Sequence, residues 1–196
     1  MSKRNHAELA IKGGAAVIVA MAGAAKAQDF DGLYGGLSYT NGSGDIHDNN
    51  DTYSFDGNAG GGFIGYNHVM GDWLFGAELA FSNGDYESFD GNNPQMDAEN
   101  VRDLKLRAGR VFGKTLVYGV VGRSTMDIDI FGALNTVDDG DASATAIGLG
   151  FETSLGNKGF VGGEYLTRDL DLSSRPAFYF DDATLNTFSL RVGLRF

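Results

Sequence analysis

His47 stands among Asp45, Asp48 and Asp51, and a histidine flanked by carboxylates is ready material for general acid–base chemistry. With Asp45 or Asp48 it could form an Asp/His hydrolytic pair. A nucleophile is harder to find. Cysteine is absent, which removes thiol chemistry, zinc–thiolate sites and disulfides together. No Gly-x-Ser-x-Gly elbow occurs. His68, the other histidine of this region, sits beside a short turn and is expected at the opposite end of the molecule. A solvated loop histidine is the simpler reading of His47, and no catalytic residues are assigned.

Acidic clusters offer a second chemistry. Asp138-Asp139-Gly140-Asp141 and Asp45-x-x-Asp48-x-x-Asp51 gather the hard oxygen donors that divalent cations take. Neither has the ligand spacing of a twelve-residue calcium loop. Asp138, Asp139 and Asp141 are metal candidates only, and no cofactor is expected.

A third set of charges is dispersed: Glu78, Lys105, Arg107, Arg123, Glu152, Glu164, Arg168, Arg191 and Arg195. Each falls inside a segment that otherwise reads as a strand. The clearest such segment is Thr187 to Phe196. There Phe188, Leu190, Val192, Leu194 and Phe196 alternate with Thr187, Ser189, Arg191, Gly193 and Arg195. Period two marks a strand with two unlike faces. The same alternation runs through Trp73 to Phe81, Val101 to Phe112, Ser143 to Ser154 and Phe160 to Arg168. Leu33 to Thr40, Asn58 to His68 and Thr115 to Thr125 complete eight, with small residues blurring their contrast.

Connections alternate in length. Val69 to Asp72, Gly113-Lys114 and Leu155 to Lys158 are short; Asn41 to Gly57, Ser82 to Asn100, Met126 to Ala142 and Asp169 to Ala183 are long and polar. Short turns on one side and long loops on the other predict an eight-stranded antiparallel up-and-down barrel.

The mixed-charge faces also carry Gly76, Gly109, Gly148, Gly150, Gly162 and Gly193. Glycine on a solvated strand face costs stability without return, whereas inside a narrow barrel it makes room for long neighbours. An arginine aimed at mid-bilayer costs about 2–4 kcal/mol. The charged face is therefore expected inside, as an ion-paired plug, with Phe, Leu, Val and Ile toward hydrocarbon. Tyr34, Trp73, Phe81, Phe112 and Phe196 are candidates for the interfacial aromatic girdles. The alternative arrangement, a soluble periplasmic barrel, has the two faces exchanged.

Residues 1–27 read as a secretory signal. Lys3, Arg4 and Lys12 precede an apolar run, Ala15 to Ala25, that ends in Ala25-Lys26-Ala27, a small-x-small cleavage pattern. The barrel then spans residues 28–196. The whole chain carries a net charge of −11, and removal of the leader, with four bases and one acid, brings it to −14. That argues against a nucleic-acid binder, which needs a basic patch. The four long connections hold 18 acidic residues against one base, Arg175. The simpler reading is a solvated rim; the sharper one is cation binding.

Several of these stretches also resemble a known family. Leu33-Tyr34-Gly35-Gly36-Leu37, Gly62-Phe63-Ile64-Gly65-Tyr66-Asn67, Phe75-Gly76-Ala77-Glu78-Leu79, Leu106-Arg107-Ala108-Gly109-Arg110, Leu116-Val117-Tyr118-Gly119 with Gly122, Ile147-Gly148-Leu149-Gly150-Phe151-Glu152, Gly163-Glu164-Tyr165 and Phe196 are similar to the small outer-membrane β-barrels of Gram-negative bacteria. That group includes the opacity proteins, the "porin family" surface antigens and the transmembrane domain of outer membrane protein A.

The resemblance implies an integral outer-membrane location with lipid and lipopolysaccharide as surroundings. It also implies that Phe196, closing an alternating strand, is the signal read by the barrel-assembly machinery. It does not imply one activity. The expected function is a structural or surface-interaction protein, not an enzyme, whose acidic loops meet a protein or surface partner. A small-solute or cation-preferring pore and a rim enzyme acting on lipid are the alternatives.

Overall fold

The computed structural model describes residues 27–48, 52–90, 93–131, 137–171 and 180–196; nearly all of the expected leader lies outside them. A short 3-10 turn, Ala27–Phe30, precedes eight strands: β1 (Gly32–Asp48), β2 (Thr52–Met70), β3 (Trp73–Asp90), β4 (Asn93–Phe112), β5 (Thr115–Phe131), β6 (Val137–Leu155), β7 (Gly159–Asp171) and β8 (Phe180–Arg195). Each strand pairs antiparallel with the next, and β1 pairs with β8, which closes the sheet into a barrel.

The two-residue turns are set by glycine. Met70 pairs with Trp73 across Gly71-Asp72, and Phe112 with Thr115 across Gly113-Lys114. Gly71 has φ 66° and Gly113 φ 61°, and the second residue of each turn is not in the left-handed region. That is a type II′ turn, whose twist matches that of the flanking strands and whose first central position suits glycine.

The faces are arranged as an inside-out barrel. Phe188, Leu190, Val192 and Leu194 are 46–58% exposed, while Arg191 and Arg195 are 4% and 6% exposed. The same division holds on β4, where Leu104 and Leu106 face out and Asp103, Lys105 and Arg107 face in. Such a wall suits hydrocarbon, and closure of the sheet gives each strand a hydrogen-bonding neighbour on both sides.

Two expectations are corrected here. The segments read as long loops mostly continue the ladder: the strands reach Asp48, Asp90, Phe131 and Asp171 and resume at Thr52, Asn93, Val137 and Phe180. Strands of 13 to 20 residues exceed the ~9–11 that cross a bilayer. Beyond the membrane both faces of a hairpin meet water, so no apolar alternation marks the strand, yet its backbone groups still need partners. Register irregularities at His47/Asp48, Ser82/Tyr86, Ser88/Phe89 and Glu99/Arg102 all fall in these extensions.

The second correction concerns the girdles. Trp73, Phe81, Phe112 and Phe196 point outward, but Tyr34 is buried inside the barrel. Leu33 and Leu37 take the outer positions of β1, which turns Tyr34 inward; the intervening Gly35-Gly36 hides that phase in the sequence.

Candidate functional site

The lumen is filled by side chains in three layers. Nearest the short turns, Arg107 of β4 and Arg195 of β8 converge on Glu152 of β6, at 2.7 Å and 3.3 Å. Asn67 of β2 accepts from Arg107 Nε at 2.9 Å and donates to the Phe30 carbonyl at 3.1 Å. Phe30 itself is fully buried beneath the Arg195 guanidinium, 4.1 Å from its ring centre. The 3-10 turn thus forms a floor, tied to the turn side of β2 by Asp31, whose carboxylate accepts from the Val69 N–H at 2.7 Å.

The middle layer is a closed four-membered ion network. Lys105 Nζ lies 2.6 Å from Glu78 and 2.5 Å from Glu164. Arg191 bridges the same two carboxylates from the other side, 2.7 Å from Glu164. Tyr34 donates to Glu78 at 2.7 Å and Tyr118 donates to Glu164 at 3.0 Å. All of these residues are buried.

Nearer the long hairpins, Arg168 of β7 binds Asp103 at 2.8 Å and donates to Ser124 at 2.9 Å and Thr187 at 2.7 Å. Ser124 in turn donates to Asp103. Between this layer and the middle one lies a cavity of about 30 Å³, lined by Thr40, Asp103, Lys105, Arg168 and Arg191 among others, which is room for about one water.

Aromatic rings insulate the network. Arg191 lies 3.9 Å over the Phe63 ring, and Arg107 lies 4.2 Å and 4.8 Å from the Tyr34 and Tyr118 ring centres. Arg191 Nε, Arg195 Nε and Arg107 Nη2 have no acceptor among the described residues. Each belongs to a guanidinium seated over a ring, whose π face supplies part of the missing partner.

Of the nine charges read as luminal, the structure brings eight together: Glu78, Lys105, Arg107, Glu152, Glu164, Arg168, Arg191 and Arg195. The ninth is a correction. Arg123 is exposed on the outer wall of β5, because Leu116, Tyr118, Val120, Ser124 and Met126 take the inner positions. Apolar residues occupy both faces of β5, so its phase is not readable from polarity. Asp103 was not anticipated, although it stands two residues from Lys105 on the same face. Among the described residues, four acids and five bases therefore meet in the lumen.

The described residues hold no nucleophile with a histidine base. His68 is exposed at the turn end, 3.7 Å from Asp31, while His47 is on β1 at the hairpin end and its side chain is outside the described residues. No group of three or more potential metal ligands occurs among the described residues. Asp141 is exposed on β6; the side chains of Asp138 and Asp139 are not among those described.

Comparison with known proteins bears on the fold. Solved structures that match include the attachment invasion locus protein Ail of Yersinia pestis, at 16% identity and TM-score 0.51, over 85% of this chain and 99% of that one. The same protein bound to the heparin analogue sucrose octasulfate matches at 16% identity and TM-score 0.50, over 84% and 99%. Neisserial surface protein A matches at 10% identity and TM-score 0.50, over 85% and 98%. No curated protein sequence matches. The profile of the outer membrane protein beta-barrel domain fits residues 13–196. A closed eight-stranded barrel with an apolar outer wall, matched by that profile over nearly its whole length, belongs to the outer membrane protein beta-barrel family and resides in the bacterial outer membrane.

Proposed function

We propose that this protein is a surface-interaction barrel without enzymatic activity, a sealed membrane anchor that presents acidic hairpins outside the cell. The observation that carries this reading is the filled lumen. Among the described residues, three stacked layers of buried, ion-paired side chains fill the lumen, with a cavity of one-water size between two of them. An eight-stranded barrel has an interior just wide enough for such filling. The hairpin segments carry 18 acids and one base, so the partner they favour is basic or brings divalent cations. A polysulfated ligand such as the one bound to Ail does not match that charge.

Planar-bilayer recording tests the reading. A sealed barrel gives no regular conductance steps, and steps of nanosiemens size establish the pore alternative. A second proposal concerns assembly. Phe196 projects from the turn end of the wall and its N–H donates to the Leu33 carbonyl at 2.9 Å. As the family resemblance implies, this residue is read by the barrel-assembly machinery. Phe196→Ala should then lower the outer-membrane fraction in cells while leaving refolding in detergent unchanged.

A further inference from the structure

We infer that the outer wall carries a binding site for one phosphorylated, multiply acylated lipid of the outer leaflet, built from Arg102, Arg123 and the hollow beside them. Both arginines face out from the wall, and among the described residues Arg123 has no acidic partner. Arg102 has only a loose contact, 3.6 Å from Asp127, with the arginine largely exposed and the aspartate half-buried. Arg123 is paired with Leu104, and Arg102 lies two residues along from Leu104 on the same face. The two arginines are thus diagonal neighbours across β4 and β5, close enough for long side chains to converge on one anion.

Their height in the wall matters. Phe81, opposite Arg102, is the last large apolar side chain on the outer face of β3 among the described residues before the hairpin. The guanidinia therefore stand where apolar wall gives way to water on the hairpin side, at the level of lipid headgroups. Directly beside them a hollow of about 660 Å³ runs across β1 to β5, lined by Leu37, Ile64, Leu79, Phe81 and Leu104. Gly62, between Leu37 and Phe81 in register, gives room to the Phe81 ring, which a Cβ there would crowd.

Charge identifies the occupant. The hairpins above are strongly acidic, so this pair is a cationic island below an anionic rim. It attracts an anion that reaches it from within the membrane. Arginine is the side chain suited to a phosphate, through forked, charge-assisted hydrogen bonds, and the hollow accepts an acyl chain. This rests on the outer-membrane location and is independent of the loop-partner proposal.

The test uses the full chain in phosphatidylcholine nanodiscs, doped with bisphosphorylated lipid A, with its dephosphorylated form, or exposed to inorganic phosphate. Retained lipid is counted by native mass spectrometry after release in mild detergent. One bisphosphorylated lipid should be retained, and Arg102→Gln/Arg123→Gln should weaken retention by at least about fivefold. Arg110→Gln, an exposed arginine at the turn end, should leave it unchanged, and a heat-shift gel shows that each variant is folded. A smaller loss in the double variant, equal retention of the dephosphorylated lipid, or equal binding of inorganic phosphate alone overturns the assignment.

Discussion

At Glu78 the charges of three strands meet: Lys105 from β4, Arg191 from β8 and its own carboxylate on β3, with the Tyr34 hydroxyl donating from β1. Removing one partner from such a set leaves buried charge uncompensated, which costs about 3–5 kcal/mol. Glu78→Ala should lower unfolding stability by that amount in urea titrations monitored by the heat-shift gel. Arg123→Leu is the contrasting case. With its guanidinium outside and without an acidic partner among the described residues, this change should alter stability by no more than about 0.5 kcal/mol. If the two variants are equally destabilised, the placement of Arg123 on the outer wall is wrong. The difference between these arginines was not legible in composition, since both sit in strands beside glycine and small residues. What separates them is phase. On β8 the outer positions from Phe188 to Leu194 are all apolar, so Arg191 can only face in; on β5 Leu116, Val117, Val120 and Val121 spread across both faces.

Among the elements, the turns and the glycine–aromatic pairs set register. Gly113 has open space around its α-carbon but a positive φ, so Gly113→Ala adds strain of roughly 1–2 kcal/mol and no collision. Gly65 is the opposite case. A methyl there would run into the Tyr34 ring and into the Ala77 carbonyl, so Gly65→Ala should cost about 1–3 kcal/mol through overpacking. Tyr34→Phe should leave the Gly65 collision in place but lose the bond to Glu78, so the two variants separate packing from hydrogen bonding in the same urea assay. The three short turns were legible because glycine marks them. The upper halves of the strands were not, because polar residues on both faces carry no periodic signal; there the ladder is specified by backbone pairing alone. Tyr34 was misplaced for a related reason: Gly35-Gly36 removes the two side chains that would have shown the phase of β1.

For the molecule as a whole, closure is redundant. The Phe30 floor and the Glu78–Lys105–Glu164–Arg191 layer lie in series along the axis. Phe30→Ala should therefore leave planar bilayers non-conducting, because the layer above still fills the cross-section; regular steps in that variant would mean that the floor alone seals the barrel. The floor was invisible in the sequence, where Phe30 reads as part of a short linker between a leader and a strand. The overall architecture was readable, because inner and outer environments differ so sharply that most strands betray their faces.

The seam between β1 and β8 joins Tyr34 to Arg195, nearly the two ends of the sheet in sequence. Pairs so distant along the chain close slowly, because the entropy of bringing them together precedes any gain from the contact. Until β8 has been made, β1 presents an unpaired edge, and Glu78 lacks its Arg191 partner. The barrel is thus completed late, in one step that joins backbone and buried charge together, and the open sheet before it is a species prone to pair with other chains.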